Sequence, residues 1–213
     1  MHRFSDPSFL PGNGLSPEEI YERALPLAGS PGQAYVERRC VPVDIAESAG
    51  VRFEPDFAGR PAVLVAMRDL GEKLTAVHGR YLHATHCQNK MLTVGREGGA
   101  VVIGDVWRTE PFILVEGLFD ALSLAVCGWA AAATIGRPIS HLAELTSNRV
   151  VWAAFDAGRS GEANVTKLRQ RLPQALVRRL LPPPLCKDWN TALVKRGPAA
   201  VAKWLRTQVM AGE

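Results

Sequence analysis

Phe112-Ile113-Leu114-Val115-Glu116-Gly117-Leu118-Phe119-Asp120-Ala121-Leu122 is the stretch on which the fold turns. Its first four residues are apolar without alternation. Such a run fits a strand buried on both faces, as in a parallel sheet, better than a strand with one wet side. An acid and a glycine follow at once. An apolar helix-like segment then runs over 118–127 and stops at Gly128. Strand, turn and helix in this order open a βαβ unit. The alternation continues downstream. Residues 130–134, 150–155 and 175–180 read as strands, the last one unusual in carrying Arg178-Arg179. Residues 139–145 and 161–172 read as helices, and 190–195 and 198–209 as closing helices. The pattern predicts a doubly wound α/β sheet with helices on both faces.

Upstream the texture differs. Residues 1–15 are rich in Pro, Gly and Ser and read as a flexible lead-in. Ser16-Pro17-Glu18-Glu19 is a helix start, with Ser as N-cap, Pro at N1 and Glu at N3; this helix is expected to reach about Leu27. Short helices are expected over 33–39 and 43–49, the latter ending at Gly50. Residues 51–53, Ala62–Arg68, 73–78 and Val101–Ile103 are strand-like, and Asp69-Leu70-Gly71-Glu72 reads as a hairpin turn. The expected organisation is a lead-in (1–15), a small α+β unit (16–110) and the α/β unit (111–213).

Composition sets the outer limits. Among 213 residues, 47% are hydrophobic and 22% charged, which excludes wholesale disorder. The length allows one large domain or two small ones and a core without staples. No run of 18 apolar residues exists, since 118–135 is broken by Asp120, Ser123 and Gly128, so no membrane span is expected. The N-terminus lacks an apolar signal region, so a cytoplasmic location and reduced thiols are expected. Cys40, Cys87, Cys127 and Cys186 form no Cys-x-x-Cys pair, which argues against a zinc ribbon. His83, His86 and Cys87 invite a zinc reading, but no partner ligand lies at suitable spacing. A net charge of +4 is compatible with a polyanion but too small to argue for one.

In open α/β sheets ligands bind beyond the carboxyl ends of the strands. Those ends carry Glu116, with Asp120 one turn on; Thr134-Ile135-Gly136; Asp156-Ala157-Gly158-Arg159-Ser160-Gly161; and Lys187-Asp188-Trp189-Asn190. Four acids thus gather at one edge. Clustered carboxylates repel unless a cation sits among them. A hard ion such as Mg2+ or Mn2+ takes a few carboxylates, waters and phosphate oxygens. Three of these acids also have a plainer reading. Asp120 could complement a helix dipole, and Asp156 and Asp188 could cap the helices that follow them.

Ile-Leu-Val-Glu-Gly-x-x-Asp-Ala-Leu (113–122), Thr-Ile-Gly (134–136), Phe-Asp-x-x-x-x-Gly (155–161) and Lys-Asp-Trp-Asn (187–190) together resemble the Toprim domain of primases, topoisomerases and related nucleases. The final tetrapeptide looks like that of phage and plasmid Toprim primases. Residues 33–53 resemble the helical lead-in of a primase catalytic core. Residues 59–80 and Asn89-Lys90-Met91-Leu92 resemble its "basic" subdomain. The resemblance implies a Rossmann-like Toprim sheet preceded by a small α+β primase-type unit. It makes Glu116 the metal-linked general acid/base, Asp120 a support for Glu116 or part of the metal shell, Asp156 a metal ligand, and Asp188 the late acid near a second metal. Arg80, Lys90, Arg159 and Lys187 would contact nucleotide or template phosphate. The implied activity is metal-dependent synthesis of RNA primers on single-stranded DNA from nucleotide triphosphates. A replicative helicase or zinc-binding domain would lie outside this chain.

One position departs from the family. The second acid of its Asp-x-Asp pair is Gly158 here, which supplies no side-chain ligand. That leaves catalysis open. A non-catalytic nucleic-acid-binding module is the alternative, and a Toprim nuclease a further one that the primase-like front half disfavours. Trp152 and Trp189 read as packing residues. Arg159, Lys167, Arg169 and Arg171 read as a solvated helix face or as a stripe contacting a nucleic-acid backbone.

Overall fold

The computed structural model describes residues 14–83 and 89–212. Most of the lead-in, with His86 and Cys87 of the zinc reading, lies outside the described residues. The chain runs α1 (Pro17–Arg23), α2 (Pro31–Glu37), α3 (Val43–Ser48), β1 (Arg52–Glu54), β2 (Ala62–Arg68), β3 (Leu74–Tyr81), β4 (Met91–Gly95) and β5 (Val101–Ile103). It continues through β6 (Phe112–Val115), α4 (Leu118–Val126), β7 (Ala131–Ala133), α5 (Leu142–Leu145), β8 (Val150–Ala153), α6 (Arg159–Arg171), β9 (Leu176–Arg179) and α7 (Trp189–Gly212).

The start of α1 is the capping box expected from Ser16 and Glu19. Glu19 N–H donates to Ser16 Oγ at 3.2 Å and Ser16 N–H to Glu19 Oε2 at 2.7 Å. The helix ends at Arg23, short of Leu27, because Leu25 leaves it to exchange both backbone hydrogen bonds with Phe53. Helix α2 begins at Pro31, earlier than expected, with Pro at its first turn behind Ser30 as N-cap. Helix α5 covers only Leu142–Leu145, since His141 at φ 57° cannot continue a helix.

The first sheet is antiparallel, in the order β1-β2-β3-β4. The β2–β3 turn is held by Asp69, whose Oδ1 accepts from Gly71 and Lys73 N–H at 3.0 Å each. Strand β4 was not anticipated as a strand. It sits at the edge and buries only Val94, so its sequence shows no alternation.

The second sheet has the order β5-β7-β6-β8-β9. Strands β7, β6, β8 and β9 are parallel, while β5 pairs antiparallel with β7. Strand β5, expected within the leading antiparallel unit, is therefore an edge of the α/β sheet. Alternate residues of β6 face opposite ways. Ile113 and Val115 pack with α4 and α7, and Phe112 and Leu114 with α5 and α6. That two-sided burial is why Phe112–Val115 reads as an unbroken apolar run. Trp189 and Trp152 are buried packing residues, as expected, and the Trp189 indole N–H also donates to Ala154 O at 2.8 Å. The closing helix is broken at Gly197 (φ 75°, ψ 165°), with Pro198 restarting it. No helix among the described residues is long and apolar enough to cross a membrane.

Candidate active site

Register places the first two acids together. Leu114 pairs with Ala153 across β6 and β8, so Glu116 and Asp156 emerge side by side at the carboxyl edge. Glu116 Oε1 accepts from Asp156 N–H at 3.3 Å, and Oε2 accepts from the Asn164 amide on α6 at 3.2 Å. Partial burial, then the neighbouring Asp156 charge, holds the Glu116 carboxyl above its ordinary range. Asp156 is raised by burial and then by Asp188, against the opposing pull of Lys187 and Arg179. Lys187 Nζ lies 3.8 Å from Asp156 Oδ2, with its side chain largely in solvent.

The other two acids are tied to backbone. Asp120 is buried, and its Oδ1 accepts from the N–H groups of Trp189 (3.0 Å) and Asn190 (3.4 Å) at the start of α7. Burial, then Asp188 and Asp156, pushes its carboxyl up to about 7. Asp188 Oδ1 accepts from Thr191 N–H at 2.6 Å. This is N-cap geometry, the plainer of the two readings of that residue. Both carboxylates thus serve the positive end of a helix.

Arg179, the last residue of β9, was noticed in the sequence only as an oddity. Its Nη1 donates to the carbonyls of Ala153 (3.0 Å), Phe155 (2.8 Å) and Leu180 (2.9 Å), and its Nη2 to that of Asp156 (2.7 Å). Its Nε pairs with Glu162 at 2.8 Å. One guanidinium therefore bonds the Phe155 and Asp156 carbonyls of the turn that carries Asp156, together with those of Ala153 and Leu180 at the strand ends. Gly161 completes the turn, since a Cβ there would run into the Asp156 carbonyl. Gly158 sits at φ 100°, ψ −175°, a region open essentially only to glycine. A Cβ on Gly158 would meet open space. Its obstacle to being an acid is backbone conformation, not room.

Arg80 and Lys90 lie at one end of the β3–β4 ladder, Arg80 opposite Met91. Arg80 Nε reaches the Tyr35 hydroxyl at 3.4 Å, and Lys90 is exposed. Arg159 is exposed at the first turn of α6. His78, considered beside the zinc reading, is buried in β3 with Nδ1 2.9 Å from Thr93 Oγ1. Arg39, not singled out from sequence, joins the two units. Its guanidinium lies over Tyr35 (5.0 Å) and Phe119 (4.4 Å) and donates to Asn190 Oδ1 at 3.2 Å. Asn190 Nδ2 returns a bond to Arg39 O at 3.0 Å. No local sequence signal marks that pairing, because the partners are 151 residues apart.

Among the described residues no group of three or more His, Cys, Asp or Glu side chains is placed to hold a metal ion. The donor set nevertheless fits Mg2+ or Mn2+. Glu116 and Asp156 are adjacent, half-buried oxygen donors whose carboxyls both lie above their ordinary range, and Mg2+ uses one or two carboxylates with water and phosphate. Asp120 and Asp188 each use one oxygen, Oδ1, on backbone N–H groups at the start of α7 and add negative potential beside this pair.

Residues 113–193 match the Toprim-like family, and this part of the chain is a Toprim-like domain. Residues 16–104 match a domain of unknown function, DUF7146. The whole arrangement has the fold of a primase catalytic core. The primase fragment of the bacteriophage T7 primase-helicase protein is 18% identical, with TM-score 0.56, covering 79% of this chain and 72% of that one. The Aquifex aeolicus primase, with its zinc-binding and RNA polymerase domains, is 14% identical at TM-score 0.61, covering 91% of this chain and 62% of that one. A DnaG primase catalytic domain bound to single-stranded DNA is 18% identical at TM-score 0.61, covering 89% and 79%. No curated protein matches the sequence significantly.

Proposed function

We propose that this chain is a primase-type nucleotidyltransferase core, joining ribonucleotides into short primers on a single-stranded DNA template. The observation that supports this most is the Glu116–Asp156 pair at the carboxyl edge of a Toprim-like sheet. Bound between them, Mg2+ or Mn2+ would neutralise triphosphate charge and acidify the attacking hydroxyl. Glu116, with its raised proton affinity, takes the proton of the primer 3′ hydroxyl at Oε1 or Oε2. The freed oxygen attacks the α-phosphorus in line, and the bond to the β-phosphate breaks, releasing pyrophosphate. Asp156 holds negative charge at the reacting centre, and Lys187 beside it faces the phosphates. Arg80, Lys90 and Arg159 neutralise template and nucleotide phosphates. Catalysis of this kind is chiefly positioning and charge stabilisation. A helicase or a zinc-binding domain on another polypeptide is the partner this reading calls for.

The test is primer synthesis from labelled ribonucleotide triphosphates on single-stranded templates with Mg2+ or Mn2+. Synthesis that Glu116→Gln abolishes, with the melting curve unchanged, is the expected result. A second reading rests on Gly158, whose conformation excludes the family's second acid: a binding module without catalysis. Single-strand binding with no synthesis on any template would establish that reading instead.

A further inference from the structure

Positive charge is placed unevenly along this chain. Residues 16–110 carry eleven Lys and Arg against thirteen Asp and Glu. Residues 163–212, which span most of α6 with β9 and α7, carry ten against one, Asp188. The unit that corresponds to the "basic" subdomain of primases is thus mildly acidic here, and the cationic surface belongs to the Toprim-like half.

The fold turns part of that charge into a shape. Strand β9 is the outer strand of its sheet, with α6 on one face and α7 on the other. An open groove of about 460 Å³ follows β9, lined by Arg169 of α6, Val177, Arg178 and Arg179 of β9, Gln208 and Ala211 of α7, and Trp152 of β8. Helical spacing puts Arg169 on the α6 flank that faces β9, where its Nε reaches Val177 O at 3.4 Å; Lys167 and Arg171 fall on the other flank. Arg178 lies over Trp152, 5.7 Å from the ring centroid, and Trp152 is 4% exposed. The groove therefore offers guanidiniums and no open aromatic face. Phosphates can be held there, whereas bases find nothing to stack on. At one end the groove meets the candidate active site, since Arg179 both lines it and carries the Asp156 turn.

Resting on the reading of this chain as a primase-type core, we infer that the β9 groove binds the phosphate backbone of a single nucleic-acid strand continuing from the acidic edge. Arg169 and Arg178 are its phosphate contacts. The strand is recognised without regard to sequence, and the groove adds a second cationic track to the one at Arg80 and Lys90.

The test is fluorescence anisotropy of labelled oligo(dT) 20-mer against salt, without nucleotides and with chelator, so that it depends on neither metal nor chemistry. Neutralising both contacts, Arg169→Gln with Arg178→Gln, should lower affinity about tenfold near 100 mM salt. It should also reduce the slope of log affinity against log salt by about 1.4, at about 0.7 per phosphate on a single strand. The double Lys variant should keep the slope. In the unmodified protein, oligo(dT) should protect Arg169 and Arg178 from phenylglyoxal, a readout that no folding defect can mimic. An unchanged slope, or no protection, overturns the proposal. So does a blunt DNA duplex that binds tighter than oligo(dT) through these residues. Polyglutamate competing as well as oligo(dT) overturns it too, because the groove would then suit an acidic protein segment. Loss of primer synthesis in Glu116→Gln, or its absence from the wild-type protein, bears on the acidic edge alone and leaves this result standing.

Discussion

The β6–β8 edge and the start of α7 each gather two acids, and they hold them differently. At the sheet edge Glu116 and Asp156 are half-buried; Glu116 accepts from the Asp156 N–H and the Asn164 amide, and Asp156 Oδ2 faces the Lys187 ammonium at 3.8 Å. At the helix start Asp120 and Asp188 are bonded to the N–H groups of Trp189, Asn190 and Thr191. All four belong to one motif set and one electrostatic cluster. The division lies in the partners: the sheet-edge pair meets one backbone N–H and the side chains of Asn164 and Lys187, whereas the other pair is bonded to the backbone at the start of α7.

Four perturbations would break or sharpen that contrast. The largest effect is expected from Glu116→Gln, which should lower primer synthesis by about 10³-fold or more, the scale of removing a central catalytic group. Circular dichroism and the melting midpoint should not move. Next is Arg179→Met. It removes a donor from four backbone carbonyls, of which Ala153 O keeps the Leu180 N–H, and about 3 kcal/mol of stability should be lost in urea unfolding. Arg179→Lys should recover only part of this, because an ammonium cannot span the four carbonyls.

Asp120→Asn comes third. The folded carboxyl of Asp120 is raised to about 7, above its unfolded range near 4. The folded state therefore holds a proton that the unfolded state releases, and stability falls as pH rises between those values, by at most about 1.4 kcal/mol per pH unit. The amide keeps an oxygen for the α7 N–H groups and cannot ionise. Melting midpoints of Asp120→Asn should thus decline less from pH 4 to pH 7 than those of the wild type. An identical decline would place the titration elsewhere. The smallest effect is expected from Gly158→Asp. Its added carboxylate favours Mn2+, but its backbone must leave φ 100°, at about 1 kcal/mol or somewhat more. Calorimetry with Mn2+ should show at most a slight gain in affinity, together with a lower melting midpoint.

The parallel sheet was legible because burial on both faces leaves an unmistakable apolar run, and because Phe112–Val115 is bounded by Glu116 and Gly117. Strand β4 was not, since an edge strand with only Val94 buried has no periodicity to read. The allegiance of β5 was hidden for another reason. Three apolar residues say strand, but which sheet they join depends on Arg68 bridging Ala100 and on the open side of β7. In the candidate site, the acids could be gathered at one edge from strand order alone. Their partition into a sheet-edge pair and a pair bonded to the start of α7, the inward turn of Arg179 and the Arg39–Asn190 bridge required three-dimensional distance, for which one sequence contains no local mark.

The crossing of β5 bears on how this protein can be divided. The Toprim-like match begins at residue 113, after β5, yet β5 supplies the outer neighbour of β7. A fragment cut at that boundary would expose the backbone of Ala131–Ala133 as a raw sheet margin flanked by apolar surface, a template for self-pairing. The leading segment is thus also the selvage of the Toprim-like sheet. Swapping the two halves between relatives would have to carry residues 101–103 with the second half to yield a soluble chimera.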